Sequence, residues 1–182
     1  MNTRDGNKEA GVGASFYGVL VLATLLTTVV HEAAHWAMGS ALGHEMVMSF
    51  NEARVASGAG ASVRDVMLIT AAGPAITVLQ AVVAYILIRG RGLRLAYPFL
   101  FAAWFMRFAA GVVSLAHPND EARLSIELIG GMWWVPGVVV LGLLVLLWSA
   151  ARRLGLGWRK NVACYLICSV MTAAIVFGDR VL

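Results

Sequence analysis

The amino-acid sequence predicts an all-α polytopic membrane protein of about five transmembrane helices, with a short strand or loop insertion after the first. Three observations carry that expectation. Hydrophobic residues make up 60% of the 182 and charged residues only 13%, against roughly 45–50% apolar usage in soluble domains. The apolar residues fall in long runs, each near the ~20 residues that cross a bilayer, and mean hydropathy is +0.79. Basic residues gather in the short segments between runs, as they do in cytoplasmic loops. No repeat, low-complexity segment or separate soluble domain interrupts the pattern, so residues 1–182 read as a single membrane-embedded domain.

The N-terminal "MNTRDGNKEAG" is polar, with Arg4 and Lys8 offset by Asp5 and Glu9. The apolar run behind it exceeds the length of a signal-peptide core and reads as an uncleaved first span, Ser15 to Leu42. Residues 43–62 differ in character: Met46, Met48 and Phe50 alternate, and a Gly/Ala/Ser run follows. Such a stretch forms either a short hairpin leading into a flexible loop or an ordinary irregular loop. The second span runs from Val63 to Ile88 and contains Pro74, expected to kink the helix and free backbone groups to line a cleft. After the basic turn "RGRGLR" the third span covers Leu95 to Ala116, with Arg107 inside it. A buried arginine in lipid must pair with a carboxylate or with carbonyls of the bundle. The fourth span, Met132 to Ala151, is led by the interfacial pair Trp133–Trp134. The turn "RRLGLGWRK" precedes the fifth, Asn161 to Phe177, where Cys164 and Cys168 stand one helical turn apart, suited to packing rather than to a disulfide.

Charge then orients the bundle. The N-terminus and the two basic turns hold nine Lys/Arg, and the opposite side holds four: Arg54, Arg64, Arg123 and Arg180. The positive-inside rule therefore predicts a cytoplasmic N-terminus and an outward C-terminus. A lipid bilayer is the expected environment, and nothing in the charge pattern calls for nucleic acid.

One turn of the first span concentrates what lipid disfavours. "TTVVHEAAHWAMG" places His31, Glu32 and His35 in an apolar helix. Residues four apart share a helix face, so both imidazoles can meet one ion, and Glu32 projects beside it. HExxH is the zincin arrangement, two ligands plus a general base for an activated water. At about 1.5 Å per residue His31 lies roughly 24 Å from Ser15, near the outer end by this topology. One Zn2+ per chain needs a third protein ligand and an open position. The second span starts at that end and the third finishes there, followed by "AHPNDEARL". Asp120 is the favoured third ligand, with His117 next and Glu121 and Glu127 behind; the competing use of Asp120 is as a helix N-cap. His44 and Glu45, just past the first span, are expected to be solvated or to support a metal-bound imidazole.

"HEAAH" in the first span, "AAGPA" in the second and "PND" after the third resemble the site-2 protease family of intramembrane zinc metalloproteases, over about residues 15 to 125. The resemblance implies a three-helix catalytic core. His31, His35 and Asp120 would then ligate zinc, Glu32 would be the catalytic base, and Gly73 and Pro74, with Asn119 beside Asp120, would shape the site. In that family the segment after the HExxH helix forms strands that hold an unwound substrate by edge pairing, which would fall to residues 46–60 here. Three features depart from the family pattern: Thr77 replaces an Asn three residues past the proline, Asp120 lies between Asn119 and Glu121 instead of Leu and Gly, and the charge count turns the site outward instead of toward the cytosol.

The expected activity is hydrolysis of a peptide bond in or near a transmembrane segment of a protein substrate, with the small-residue loop from Ser57 to Ser62 giving room for unwinding. Two alternatives keep the metal and change the function. One is a metal-binding membrane regulator without proteolysis; the other is a membrane zinc hydrolase of lipid amides.

Overall fold

The computed structural model describes residues 13–56 and 60–179. The polar N-terminus with Arg4 and Lys8, residues 57–59 of the small-residue loop, and Arg180 lie outside the described residues. In chain order the elements are α1 (Ala14–Ala41), β1 (Met46–Met48), β2 (Ala53–Val55), α2 (Val63–Arg91), a 3-10 turn (Arg94–Ala96), α3 (Tyr97–Val113), α4 (Asp120–Ile129), α5 (Trp134–Leu154) and α6 (Trp158–Gly178). Among the described residues, five helical segments are long and apolar enough to cross a membrane: α1, α2, α3 with its leading turn, α5 and α6. This is an all-α polytopic membrane fold.

Helix ends depart from the apolar runs where the side chains tolerate an interface. α2 and α5 continue through Arg89, Arg91, Arg152 and Arg153, because long basic side chains reach past the apolar zone and complement the negative end of the helix dipole. Gly92 and Gly155, both left-handed, then stop them. α3 ends at Val113, three residues before the apolar run does. There Ser114 Oγ donates to the Ala110 carbonyl and accepts from Asn119 N–H, and Pro118 disfavours helix in the residue before it.

α1, α2 and α3 pack against one another, α5 covers α2 and α3, and α6 lies along α1 and α3. The dry core occupies the end of the bundle with the basic turns: Phe16 and Leu20 of α1, Ala84 and Ile88 of α2, Leu100 and Phe101 of α3, Leu147 of α5, and both cysteines of α6. Cys164 and Cys168 are free and serve as small packing groups there. Alanines 81, 84, 103 and 150 are buried between helices, where small side chains let backbones approach. Polar ties cross this half as well: Tyr85 to Ser149 at 3.0 Å, Tyr97 Oη to Asn161 Oδ1, and Arg153 Nε to the Ile88 carbonyl at 3.1 Å. Each such bond contributes only about 0.6 kcal/mol in a bilayer, so close packing carries more of the stability. Leu22, Leu79, Ile86, Leu141 and Val170 are exposed and face lipid.

The other end of the bundle is polar inside. Thr24, Thr27 and Thr28 are buried along α1, each donating its hydroxyl to a carbonyl one turn back. α4 closes this end as an amphipathic helix, with Ile126, Leu128 and Ile129 exposed and the exposed Trp133 and Trp134 following it in the chain, the composition of an interfacial segment.

Residues 43–56 resolve the open alternative in favour of a hairpin. β1 and β2 pair antiparallel in the register Met46–Val55, Val47–Arg54, Met48–Ala53. β1 lies close on α1 because Gly39 has no side chain; a Cβ there would come within 2.8 Å of Met46 Cγ. The turn is fastened to the end of α6: Asp179 accepts from Ser49 Oγ at 2.6 Å and from Phe50 N–H at 3.1 Å. The Ser49 hydrogen bond holds the Asp179 carboxyl below its ordinary range. Such a carboxylate contributes its tie above the unfolded value near 3.9 and loses it as pH falls through the lowered one. Asp179→Ala is therefore expected to raise amide exchange at Phe50 at least about tenfold with helix content unchanged, and acidification should shift the Phe50 amide resonance in the same direction as the substitution. Unchanged exchange at Phe50 would mean the turn is held by β pairing alone.

Candidate metal centre

The HExxH turn sits where three elements converge. His31 and His35 lie one helical turn apart on α1, 2% and 5% exposed. Asp120 comes from the first turn of α4. The competing use of Asp120 as an N-cap falls instead to Asn119, whose side-chain oxygen accepts from Asp120 N–H at 3.0 Å. That leaves the Asp120 carboxylate free to reach α1.

The three donor atoms meet closely. His31 Nε2 and His35 Nε2 are 3.1 Å apart, and Asp120 Oδ2 is 3.1 Å from the first and 3.4 Å from the second. Ligands about 2.0–2.1 Å from a tetrahedral zinc stand about 3.3 Å from each other. Hydrogen bonding also orients both rings. His35 Nδ1 donates to the Ile69 carbonyl at 2.6 Å, and His31 Nδ1 donates to Thr77 Oγ1 at 3.1 Å. Thr77 can only accept there, since its own proton goes to the Gly73 carbonyl. These partners assign Nδ1–H to each neutral ring and turn both Nε2 lone pairs toward Asp120. Three donor atoms at this separation could hold a metal ion between them. A divalent metal of the zinc type fits the donor set, and this group, His31, His35 and Asp120, is the one cluster of that kind among the described residues.

α2 supplies the floor. Pro74 removes the N–H that would bond the Thr70 carbonyl, and α2 nonetheless runs unbroken through it. Gly73 lies against both imidazoles; a Cβ there would fall within 2.7 Å of His31 Nε2 and closer still to His35 Nε2. Glycine is needed here for the close approach, not for an unusual backbone angle.

A cavity of about 510 Å³ opens over the group. Its walls include Glu32, the α1 threonines, Ala53 and Arg54 of β2, Arg107 of α3, Asn119 and Asp120, and Thr172, Ile175 and Val176 of α6. Glu32 is 8% exposed and shares this space with the histidines.

The other sequence candidates lie elsewhere. His117 and Glu127 are exposed and stand outside the donor group. Glu121 is 3% exposed and accepts from Arg107 Nη1 at 2.9 Å, the carboxylate partner that a buried arginine calls for. His44 pairs with Asp65 at 3.2 Å, tying the end of α1 to the start of α2 instead of touching a metal-site imidazole. Two participants escape a sequence reading. The Ile69 carbonyl carries no side-chain signal, and Thr77 registers only as the residue in place of an Asn. Its position four residues past Gly73, on the same helix face, is the available hint.

No family model, curated protein or solved structure matches this chain.

Two substitutions test the support of the rings. Gly73→Ala is expected to abolish metal retention while helix content by circular dichroism stays intact. Thr77→Val, which removes the hydrogen-bond acceptor of His31 Nδ1, should weaken zinc affinity about 10–100-fold. Unaltered affinity in a chelator competition would exclude Thr77 as the residue that orients His31.

Proposed function

We propose that this chain is a zinc-dependent intramembrane endopeptidase, akin in its core to the site-2 protease family. The observation that carries the reading is the convergence of His31 Nε2, His35 Nε2 and Asp120 Oδ2 in a membrane-embedded cavity that Glu32 also lines. A metal-binding regulator would have no use for a carboxylate beside the ligands, whereas hydrolysis needs one.

Zinc held by these residues would supply a Lewis acid that polarises a carbonyl and makes water a nucleophile near neutral pH. Glu32 accepts the water proton during attack and returns it to the departing amine nitrogen. β2 faces the cavity through Ala53 and Arg54, and no third strand is paired with it among the described residues, so its outer edge can hold an unwound segment by main-chain hydrogen bonds where Glu32 does not already engage the Ala53 backbone. A substrate helix must unwind because its carbonyls are otherwise internally bonded. By the positive-inside rule, the end carrying the basic turns faces the cytoplasm and the metal centre faces outward.

Zinc per chain and cleavage rate together test this. Wild type should carry one zinc, and His35→Ala and Asp120→Ala should lose it. Glu32→Gln should keep the metal and lose cleavage of helical transmembrane peptides in proteoliposomes by about 10²–10⁴-fold. Cleavage of lipid amides in place of peptides would reassign the substrate. Normal peptide cleavage by Glu32→Gln would remove Glu32 as the base.

A further inference from the structure

Arg107 is 2% exposed in the middle of a membrane protein, yet it borders the cavity over the donor group. Its Nη1 is anchored to Glu121 Oε1 at 2.9 Å and lies 3.9 Å from Asp120 Oδ2. Its Nη2 lies 3.5 Å from His31 Nε2, and its Nε has no hydrogen-bond partner among the described residues. When the His31 Nε2 lone pair is committed to a cation, Nη2 loses its acceptor too. A buried guanidinium with unspent N–H groups beside a reaction centre is a donor waiting for a ligand oxygen.

We propose that Arg107 donates a hydrogen bond to the carbonyl oxygen under attack. This rests on the hydrolytic reading above. During attack the water oxygen forms the new C–O bond, its proton goes to Glu32, and the carbonyl π pair moves onto the carbonyl oxygen. The negative charge lost at Glu32 reappears on that oxygen, within the donor field of Arg107. Collapse of the tetrahedral species breaks the C–N bond, and the nitrogen takes the bond pair and the proton from Glu32. Arg107 therefore interacts most strongly when the oxygen is charged, as a fixed electrophilic donor in a low-dielectric site does. Glu121 is the positioning residue: it holds the guanidinium in place without touching substrate.

The experiment compares full-length wild type, Arg107→Lys, Arg107→Gln and the double variant Arg107→Gln/Glu121→Gln, all zinc-loaded in detergent. The double variant removes the buried pair together and so avoids leaving an unpaired carboxylate, which guards against misfolding. The probes are a peptide phosphonamidate, whose tetrahedral anion mimics the charged oxygen, and the corresponding neutral amide. With one zinc per chain throughout, both glutamine variants are expected to bind the phosphonamidate about 10²–10³-fold more weakly than wild type, with amide binding little changed and Arg107→Lys intermediate. Equal phosphonamidate binding by wild type and the double variant, zinc retained, overturns the role of Arg107 alone. A wild type that holds no zinc, or holds zinc and discriminates against the phosphonamidate, overturns the hydrolytic reading and this inference with it.

Discussion

The structure depends on one constraint: charged and titratable groups inside a membrane must satisfy each other, because neither lipid nor bulk water will. Five such side chains, His31, His35, Asp120, Arg107 and Glu121, form one connected set across α1, α3 and α4. No member is stable there alone. Arg107 draws on Glu121, each imidazole on an oxygen of α2, and Asp120 stands with the two imidazoles as a group that could share a metal ion. That interdependence holds the first, second and third spans in register and brings the short α4 back over the bundle.

The two ends of the bundle divide the work. Near the basic turns, Phe16, Leu20, Ile88, Leu100 and Leu147 form a packed apolar core with small residues between helices. That packing anchors the helices so that their other ends can afford a polar cavity. Thr24, Thr27 and Thr28 mark the transition, each hydroxyl satisfied by its own helix and therefore tolerated inside lipid. The hairpin and the end of α6 complete the cavity wall, joined through Asp179. Access to the centre thus passes elements that are bound by a few exposed hydrogen bonds, whereas the centre itself rests on the most tightly packed helices.

Much of this was legible because the relevant signals are local. Apolar run length located five spans, and HExxH on a helix put two imidazoles on one face without any tertiary information. The span ends were less legible, since Arg89, Arg91, Arg152 and Arg153 lower hydropathy without breaking a helix. The strand-or-loop alternative at 43–56 stayed open in the sequence because three-residue strands carry almost no periodic signal. A buried arginine announced that it needed a carboxylate or carbonyls of the bundle, but that Glu121 supplies the partner followed only once α4 had a direction.

The sequence by itself determined the class of protein, the helical spans and the pairing of His31 with His35 and Glu32, because each of these follows from composition or from spacing within one helix. The tertiary structure alone decided that Asn119 caps α4 and frees Asp120, that Thr77 and the Ile69 carbonyl orient the rings, that Gly73 makes room for them, and that Glu121 holds Arg107. The physical reason is the range of the interaction. A helix fixes the relation of residues three or four apart, but which oxygen meets which nitrogen across 34, 46 or 89 residues is set only when the helices pack.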